Sequence, residues 1–322
     1  MSDFDGNGKA LPVQRQNEPL VSIILPTYNR APFLGKAIAS VLDQTHHNLE
    51  LLVVDDGSTD ETPSVIARCA CDKRLRAFKQ ENRGQSVARR FALSRAQGDF
   101  IGFLDSDNIA AVDRIEKCLA YFRDNPSAGV VYGDAITIDE NGNEMHRNNM
   151  RRYSGRIVPY MLRDNCVGMN TAIAKRECFR EAAEWKPHRR IADDYDMWLR
   201  ISADHKFYYI PEYLAYYRVM DEQISSDKKG RFDANEEILK DFIANYGDRL
   251  SFWEVRSGWC HFYSRKASYL VGQRKRMDAW REYARAIRSW PFATAPWLGV
   301  ARLTLKYLNI TRSRGKRGRP LC

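Results

Sequence analysis

The chain has 322 residues, 44% hydrophobic and 29% charged, a composition that supplies a full buried core and excludes a disordered polymer. A mean hydropathy of −0.54 excludes a bundle of membrane-spanning helices. So does the longest nearly uncharged stretch, Trp290 to Ala301 with two prolines, because a span needs about 20 apolar residues. The net charge of +10 is unevenly placed: residues 265–322 hold 15 Lys and Arg against two acids, Asp278 and Glu282, so the rest of the chain is slightly acidic.

Residues 1–19 are polar, with Gly6, Gly8 and Pro12, and lack the basic-then-apolar order of a secretion signal; they read as a loose tail. From residue 20 to 110, short apolar runs alternate with helical patterns, the signature of βα units on a parallel sheet. Val21 to Leu25 is a strand closed by Pro26. The next helix has Asn29 as its expected cap, Pro32 in its first turn, and Leu34, Ile38, Val41 and Leu42 on one face. Glu50 to Val54 is a second buried strand, and Asp55 to Asp60 its turn, with Ser58, Thr59 or Asp60 able to cap a second helix. A weak strand at Leu75 to Phe78 precedes Asn82-Arg83-Gly84 and a helix expected over Gln85 to Ala96. Phe100 to Leu104 is the next strand, ending in Asp105-Ser106-Asp107. A helix with Ile115, Cys118, Leu119 and Phe122 inward leads to a strand at Gly129 to Tyr132, and Asn141-Gly142 signals a hairpin. Further on, Asn170 to Ala174 reads as a strand, Asp194 to Ser202 as a helix, and Phe207 to Ile210 and Leu214 to Arg218 as extended segments. From about Arg231 the pattern is helical. The seven cysteines form no CxxC pair and read as thiols, which points to the cytosol.

The acidic turns fall at the carboxyl ends of strands, where open α/β sheets bind ligands. Asp105 and Asp107, one residue apart past a buried strand, suit one hard divalent cation with phosphate oxygens, or else a solvated turn. Asp55-Asp56-Gly57 offers carboxylates to the N–H and O–H donors of a nucleoside, or caps a helix. Asn82-Arg83-Gly84, with Arg89 and Arg90, offers guanidinium groups to a diphosphate. Asp193, Asp194 and Asp196 open a helix; capping accounts for one of them, and a carboxylate near a sugar acceptor is a candidate general base.

Taken in order, Leu25-Pro26-Thr27-Tyr28-Asn29-Arg30, Val53 to Asp60, Asn82-Arg83-Gly84, Phe103 to Asp107 and Asp193-Asp194-Tyr195-Asp196 resemble the inverting glycosyltransferase family 2. The resemblance covers residues 20–226. It implies a GT-A fold, a Rossmann-like and mostly parallel central sheet flanked by helices, over residues 20–228, with a basic helical region at 229–322. It further implies that Pro26, Thr27, Tyr28 and Asp56 hold the nucleotide base, with Arg30 nearby; Arg83 is kept as a donor contact at the diphosphate. Asp105 would contact ribose or metal, Asp107 would ligate Mn2+ or Mg2+, and Asp194 would be the catalytic base. Asp193 stands where the family has glutamate and is the expected acceptor contact; Trp198, one of the aromatic side chains that could stack on a sugar face or instead fill the core, is taken as a second. The donor implied is a nucleoside-diphosphate sugar, UDP-linked by default, and the acceptor a glycan or lipid-linked hydroxyl of a bacterial surface polysaccharide or glycolipid. Tyr217-Arg218-Val219-Met220 with Gln223-Ile224-Ser225 resembles the family's closing segment, with Met220 where histidine often stands.

Two other classes compete. A metal-dependent nucleotidyltransferase also pairs carboxylates near a nucleotide, but it typically has a glycine-rich basic loop after the first strand, where this chain has Pro26-Thr27-Tyr28-Asn29. A nucleic-acid-binding protein would use the Lys, Arg, Tyr and Trp interleaved between Arg265 and Tyr307, yet no recognised nucleic-acid motif is present and no nucleic-acid partner is expected. The same segment fits peripheral contact with an anionic membrane, with Trp280, Tyr283, Trp290, Phe292, Trp297 and Leu303 among its apolar side chains, or a solvated helical cap on the fold.

Overall fold

The computed structural model describes residues 18–147, 152–181, 191–220 and 227–315. A nine-stranded sheet forms its centre, in the order β3-β2-β1-β4-β8-β6-β9-β5, with β7 paired to β6. Strands β1 (Val21–Thr27), β2 (Leu49–Asp55), β3 (Leu75–Lys79) and β4 (Phe100–Phe103) are parallel. Helices α1 (Ala31–Leu42), α2 (Thr62–Cys69) and α3 (Gln85–Leu93) alternate with them. The sheet is mixed beyond β4. There, β8 (Ile173–Lys175) runs antiparallel to β4 and to β6 (Ala128–Ile138), while β9 (Lys206–Arg218) lies parallel to β6.

The alternation expected of half-buried strands is carried through β1: Ile23 and Leu25 pack on one side with α1, while Ile24 enters the core on the other. Short β5 (Ile109–Ala110) and helix α4 (Arg114–Asp124) follow the acidic turn, and β6 folds back on β7 (Glu144–Arg147) through the hairpin at Gly142. Several local expectations shift. The segment 170–174 divides into a 3-10 turn at Met169–Thr171 and strand β8. The two extended segments after residue 206 are one strand, β9, whose pairing with β6 is interrupted by bulges. Asn29 does not cap α1: Arg30 occupies the cap position, and the Asn29 side chain instead accepts a bond from Thr59 N at 2.9 Å.

Two short helices, α5 (Val158–Met161) and α6 (Cys178–Glu181), precede α7 (Asp193–Asp204). Four helices follow β9: α8 (Lys228–Tyr246), α9 (Phe252–Gly272), α10 (Arg276–Ser289) and α11 (Thr294–Gly315). They are not a loose appendage. Ile238, Leu239 and Phe242 of α8, Cys260 and Phe262 of α9, and Ala286 of α10 belong to the same buried cluster as Trp198 of α7 and Phe103 of β4. This corrects part of the sequence reading of the basic segment. Tyr283 and Leu303, assigned there to a membrane-facing side, are buried; Gly299 of α11 lies against the Tyr283 ring, whose hydroxyl is 3.2 Å from Ser268 Oγ of α9.

Candidate active site

The carboxyl ends of β1, β2 and β4 bring three turns together, and polar side chains stitch them. Asn29 N donates to Ser58 Oγ at 2.9 Å, Arg30 N to Thr62 Oγ1 at 3.0 Å, and Ala31 N to Asp60 Oδ2 at 3.1 Å. Asp56 is buried at the next junction, where Oδ1 accepts from Gln80 Nε2 and Arg83 N and Oδ2 from Gly84 N, at 2.7 to 2.9 Å. A carboxylate has about four lone-pair positions. Asp56 therefore shapes the Asn82-Arg83-Gly84 loop first and retains one acceptor position for a ligand. Gly57 makes the approach feasible: its φ is +81°, and a Cβ there would lie 2.8 Å from Asn82 N. Pro26 and Thr27 are buried at this edge, the Thr27 hydroxyl without a protein partner, whereas Tyr28 and Arg83 are exposed.

The organising residue is Arg89. Sequence reasoning placed it on a diphosphate; instead α3 carries it into the interior, where Nη2 meets Asp105 Oδ1 at 2.5 Å and Nη1 meets Asp193 Oδ2 at 2.6 Å. One guanidinium thus joins the acidic turn after β4 to the acidic start of α7. Both anions hold Arg89 firmly protonated against the effect of burial.

Asp105 is held further by Asn170, which donates from Nδ2 to Oδ2 at 2.9 Å and accepts from Asp105 N at 2.7 Å. Both Asp105 oxygens thus accept protein bonds yet keep lone-pair positions, and Asp107 is the less engaged of the two carboxylates expected to share a cation. Asp107 Oδ2 lies 3.7 Å from Arg30 Nε. Burial, followed by the charge of Asp105, pushes the Asp107 carboxyl up to about 6, with Arg30 and Arg218 opposing the rise. The loop is fixed from behind by Arg218 of β9, which donates from Nε to the Asp107 carbonyl at 2.9 Å and from its backbone N to Asn108 Oδ1 at 2.8 Å.

On the α7 side, Asp193 is committed to Arg89. Asp194 meets Asn165, whose Nδ2 donates to Asp194 Oδ2 at 2.9 Å. Burial, then the neighbouring Asp193, raises the Asp194 carboxyl to about 6; Arg89 and Arg231 pull the other way. Ala192, immediately before the pair, has a left-handed φ of 61° that costs a β-carbon residue about 1 kcal/mol or more. Asp196 binds Arg200 Nε at 2.8 Å inside the fold and has no part in the site.

Trp198 is a correction. It was expected to contact the acceptor, but it is 0% exposed, packed edge-on against Phe103 at 6.3 Å and Phe207 at 6.0 Å. It sits on the inner face of α7 and anchors that helix to the sheet. Sequence reasoning missed Asn165 and Asn170. Asn170 was read as the start of a strand, and neither residue carries a local signal, since their partners lie 29 and 65 residues away. Gln223, Ile224 and Ser225 of the resembled closing segment lie outside the described residues.

The donor set fits a divalent cation in a limited way. Among the described residues no three His, Cys, Asp or Glu side chains are grouped to hold a metal. A desolvated Asp107 carboxylate beside a diphosphate nevertheless matches how Mg2+ or Mn2+ is often bound, by one or two carboxylates plus phosphate and water oxygens.

Comparison with known proteins decides the family. The sequence model of glycosyl transferase family 2 matches residues 22–205. The chain belongs to that family. Among the relatives of this transferase, TuaG of Bacillus subtilis, whose name places it in teichuronic acid biosynthesis, is 32% identical over 76% of the chain and 93% of its own length. Chondroitin synthase of Escherichia coli is 34% identical over 66% of the chain but 30% of its own length. The chain likewise matches only 31% of the length of an uncharacterized glycosyltransferase of Rickettsia conorii, at 32% identity over 58% of the chain. Two solved structures share its GT-A fold. TarS of S. aureus superposes with a TM-score of 0.63 at 17% identity, covering 84% of this chain and 81% of that one. The mannosyltransferase PcManGT of Pyrobaculum calidifontis, in complex with GDP-Man and Mn2+, gives 0.60 at 19% identity, covering 92% and 83%.

Proposed function

We propose that this transferase moves a sugar from a nucleoside-diphosphate donor, UDP-linked by default, to an acceptor hydroxyl by a single inverting displacement. The acceptor is a glycan or lipid-linked saccharide in bacterial surface polysaccharide or glycolipid synthesis, and the reaction takes place in the cytoplasm. The observation that carries the reading is the Arg89 bridge. It neutralises one acid of each pair and leaves the other, Asp107 on the donor side and Asp194 on the acceptor side, desolvated and raised to about 6.

Each unclamped acid then has its own task. Asp194 is ionised at neutral pH yet close enough to that pH to take a proton efficiently. As the acceptor oxygen attacks the anomeric carbon, its proton passes to Asp194 and the bond from that carbon to the diphosphate oxygen breaks. Asn165 orients the receiving carboxylate, while Arg30 and Arg83 supply positive charge for the departing diphosphate. Asp107 would hold Mn2+ or Mg2+, which when bound supplies further neutralisation of that leaving group. The donor assignment draws support from TarS, crystallised with UDP-GlcNAc and with UDP, and from the GDP-Man and Mn2+ bound to PcManGT.

Incubation with a nucleotide sugar labelled in both sugar and phosphate, with the anomeric configuration of the product read by NMR, tests this directly. Release of nucleoside diphosphate with an inverted product is expected. Release of pyrophosphate would instead establish nucleotidyl transfer, and a retained configuration would remove the single displacement.

A further inference from the structure

One end of the helical region presents an aromatic surface that the catalytic reading leaves without a role. Phe252 and Trp253 open α9 with 61% and 60% of their surfaces exposed, and their rings lie 5.0 Å apart. Trp253 in turn touches Trp290, ring to ring at 5.4 Å, at the end of α10. Two residues on, Phe292 is 86% exposed, and Trp297 in the first turn of α11 is 51% exposed, with its indole N–H donating to the Pro291 carbonyl at 2.8 Å. Four large rings from two separate stretches of sequence thus face solvent around one junction, held there by backbone and ring contacts. Singly exposed hydrophobic residues are ordinary, but a contiguous aromatic patch marks an interaction surface.

Charge selects the occupant. After Glu282 the chain has no acid, while residues 288–322 carry eight Lys and Arg, of which Arg288 lies at this junction; the acid beside the rings, Glu254, is paired with Arg156. Beside the rings, Arg256 stacks on Phe252 with its guanidinium carbon 5.1 Å from the ring centre and donates to the carbonyls of Arg288 and Ser289. Amphipathic Trp rings with flanking Arg suit the headgroup level of a bilayer, and the positive field suits an anionic one. No helix among the described residues is long and apolar enough to cross a membrane, so contact would be from the side. The patch is also mechanically linked to the acceptor side of the site. One turn along α9 from Trp253, Ser257 accepts a bond from Arg163 at 3.0 Å, in the loop whose Asn165 holds Asp194.

We propose that Phe252, Trp253, Phe292 and Trp297 form a docking face for the headgroup region of an anionic lipid bilayer. The face includes the start of α9, which lies outside the basic segment, so point substitutions test it better than truncation: removing α10 and α11 would uncover the buried Tyr263 and Ala267 of α9. The full chain, the Phe252→Ser/Phe292→Ser double variant and a Trp253→Ser variant are to be sedimented with phosphatidylcholine vesicles, with and without phosphatidylglycerol, at low and high salt. The expected result is binding of the wild type to the phosphatidylglycerol vesicles at low salt, weakened at least tenfold in the double variant while its melting temperature stays unchanged. Wild-type protein that ignores those vesicles overturns the proposal, as do substituted proteins that bind like wild type. Concentration-dependent dimerisation that the same substitutions abolish, without vesicle binding, would assign the face to a second copy of the chain instead. Because the assay contains neither donor nor acceptor, its outcome is independent of the catalytic reading.

Discussion

The two acid pairs of the site are built on the same plan from opposite sides. After β4, Asp105 is clamped by Arg89 and Asp107 is not; at the start of α7, Asp193 is clamped by the same guanidinium and Asp194 is not. In each pair the free member is the one whose carboxyl rises to about 6. The difference lies in the surroundings. Asp107 has Arg30 near its oxygen and faces the turns that would receive a nucleotide, whereas Asp194 has the neutral Asn165 amide. A single buried cation thus pairs with one carboxylate of each turn, and the neighbours of the other two differ in charge, which is the basis for the proposed division between leaving group and acceptor.

The largest expected effect comes from breaking what the pairs share. Arg89→Met leaves Asp105 and Asp193 without their counter-ion, and removing one partner of a buried ion pair costs about 3–5 kcal/mol. Thermal and urea unfolding should show that loss, with donor binding and turnover falling together; a variant that melts like wild type would mean that the bridge does not organise the site.

Next come the substitutions that should separate the two sides. Asp194→Asn keeps shape and hydrogen-bonding capacity but removes the proton acceptor, so kcat should fall by about a hundredfold or more with donor affinity near wild type. Asp193→Asn is the comparison, and near-normal turnover of the Asp194 variant beside an inactive Asp193 variant would exchange their roles. Asp107→Ala should do the reverse, weakening manganese-dependent binding of a nucleoside diphosphate by about tenfold or more, in line with about 1.5–3 kcal/mol for a contact to a charged group. Calorimetry that finds this binding undiminished would take Asp107 out of the donor site.

A subtler test uses protons. The base must be ionised, so kcat at saturating donor and metal, where Asp107 is already charged, should climb as pH rises through about 6, and that limb should vanish in Asp194→Asn. The same carboxyl binds its proton more tightly folded than at its ordinary 3.8, so its contribution to stability is present below that value and is lost as pH rises through about 6. At pH 7.5, therefore, Asp194→Asn should be more stable than wild type, by a gain of order 1 kcal/mol. A less stable variant would show that the ionised Asp194 is well accommodated. Smallest of all, Asn165→Ala should lower kcat a few-fold and leave donor binding unchanged, since it alters only the orientation of the base; a change in donor affinity alone would contradict that role.

Much of this arrangement was legible in the sequence because it is local. The β1, β2 and β4 runs are short and mostly apolar, each ends in a polar turn, and the turns after β2 and β4 carry Asp56, Asp105 and Asp107 to neighbouring strand ends. What could not be read depends on contacts between distant residues. Arg89, an arginine on an amphipathic helix, looks like surface until α7 arrives with Asp193. Trp198 beside three acids could be read as a sugar platform or as core, and the core reading holds: α7 is buried on every side from Tyr195 to Ser202. The exposed rings of Phe252 and Trp253 were invisible for a related reason: the start of a helix does not reveal which of its residues a later helix will cover.

The Arg89 bridge also bears on how the chain reaches its working state. Its two carboxylate partners lie 16 and 104 residues away along the sequence. The nearer contact closes once α3 has packed on β1 and β2 and β4 has joined β1; the farther one must wait until α7 has docked, and the entropy of closing so long a loop makes that a late event. The charge of Arg89 is therefore fully compensated only once α7 docks, so the two acidic turns gain their shared counter-ion in that order.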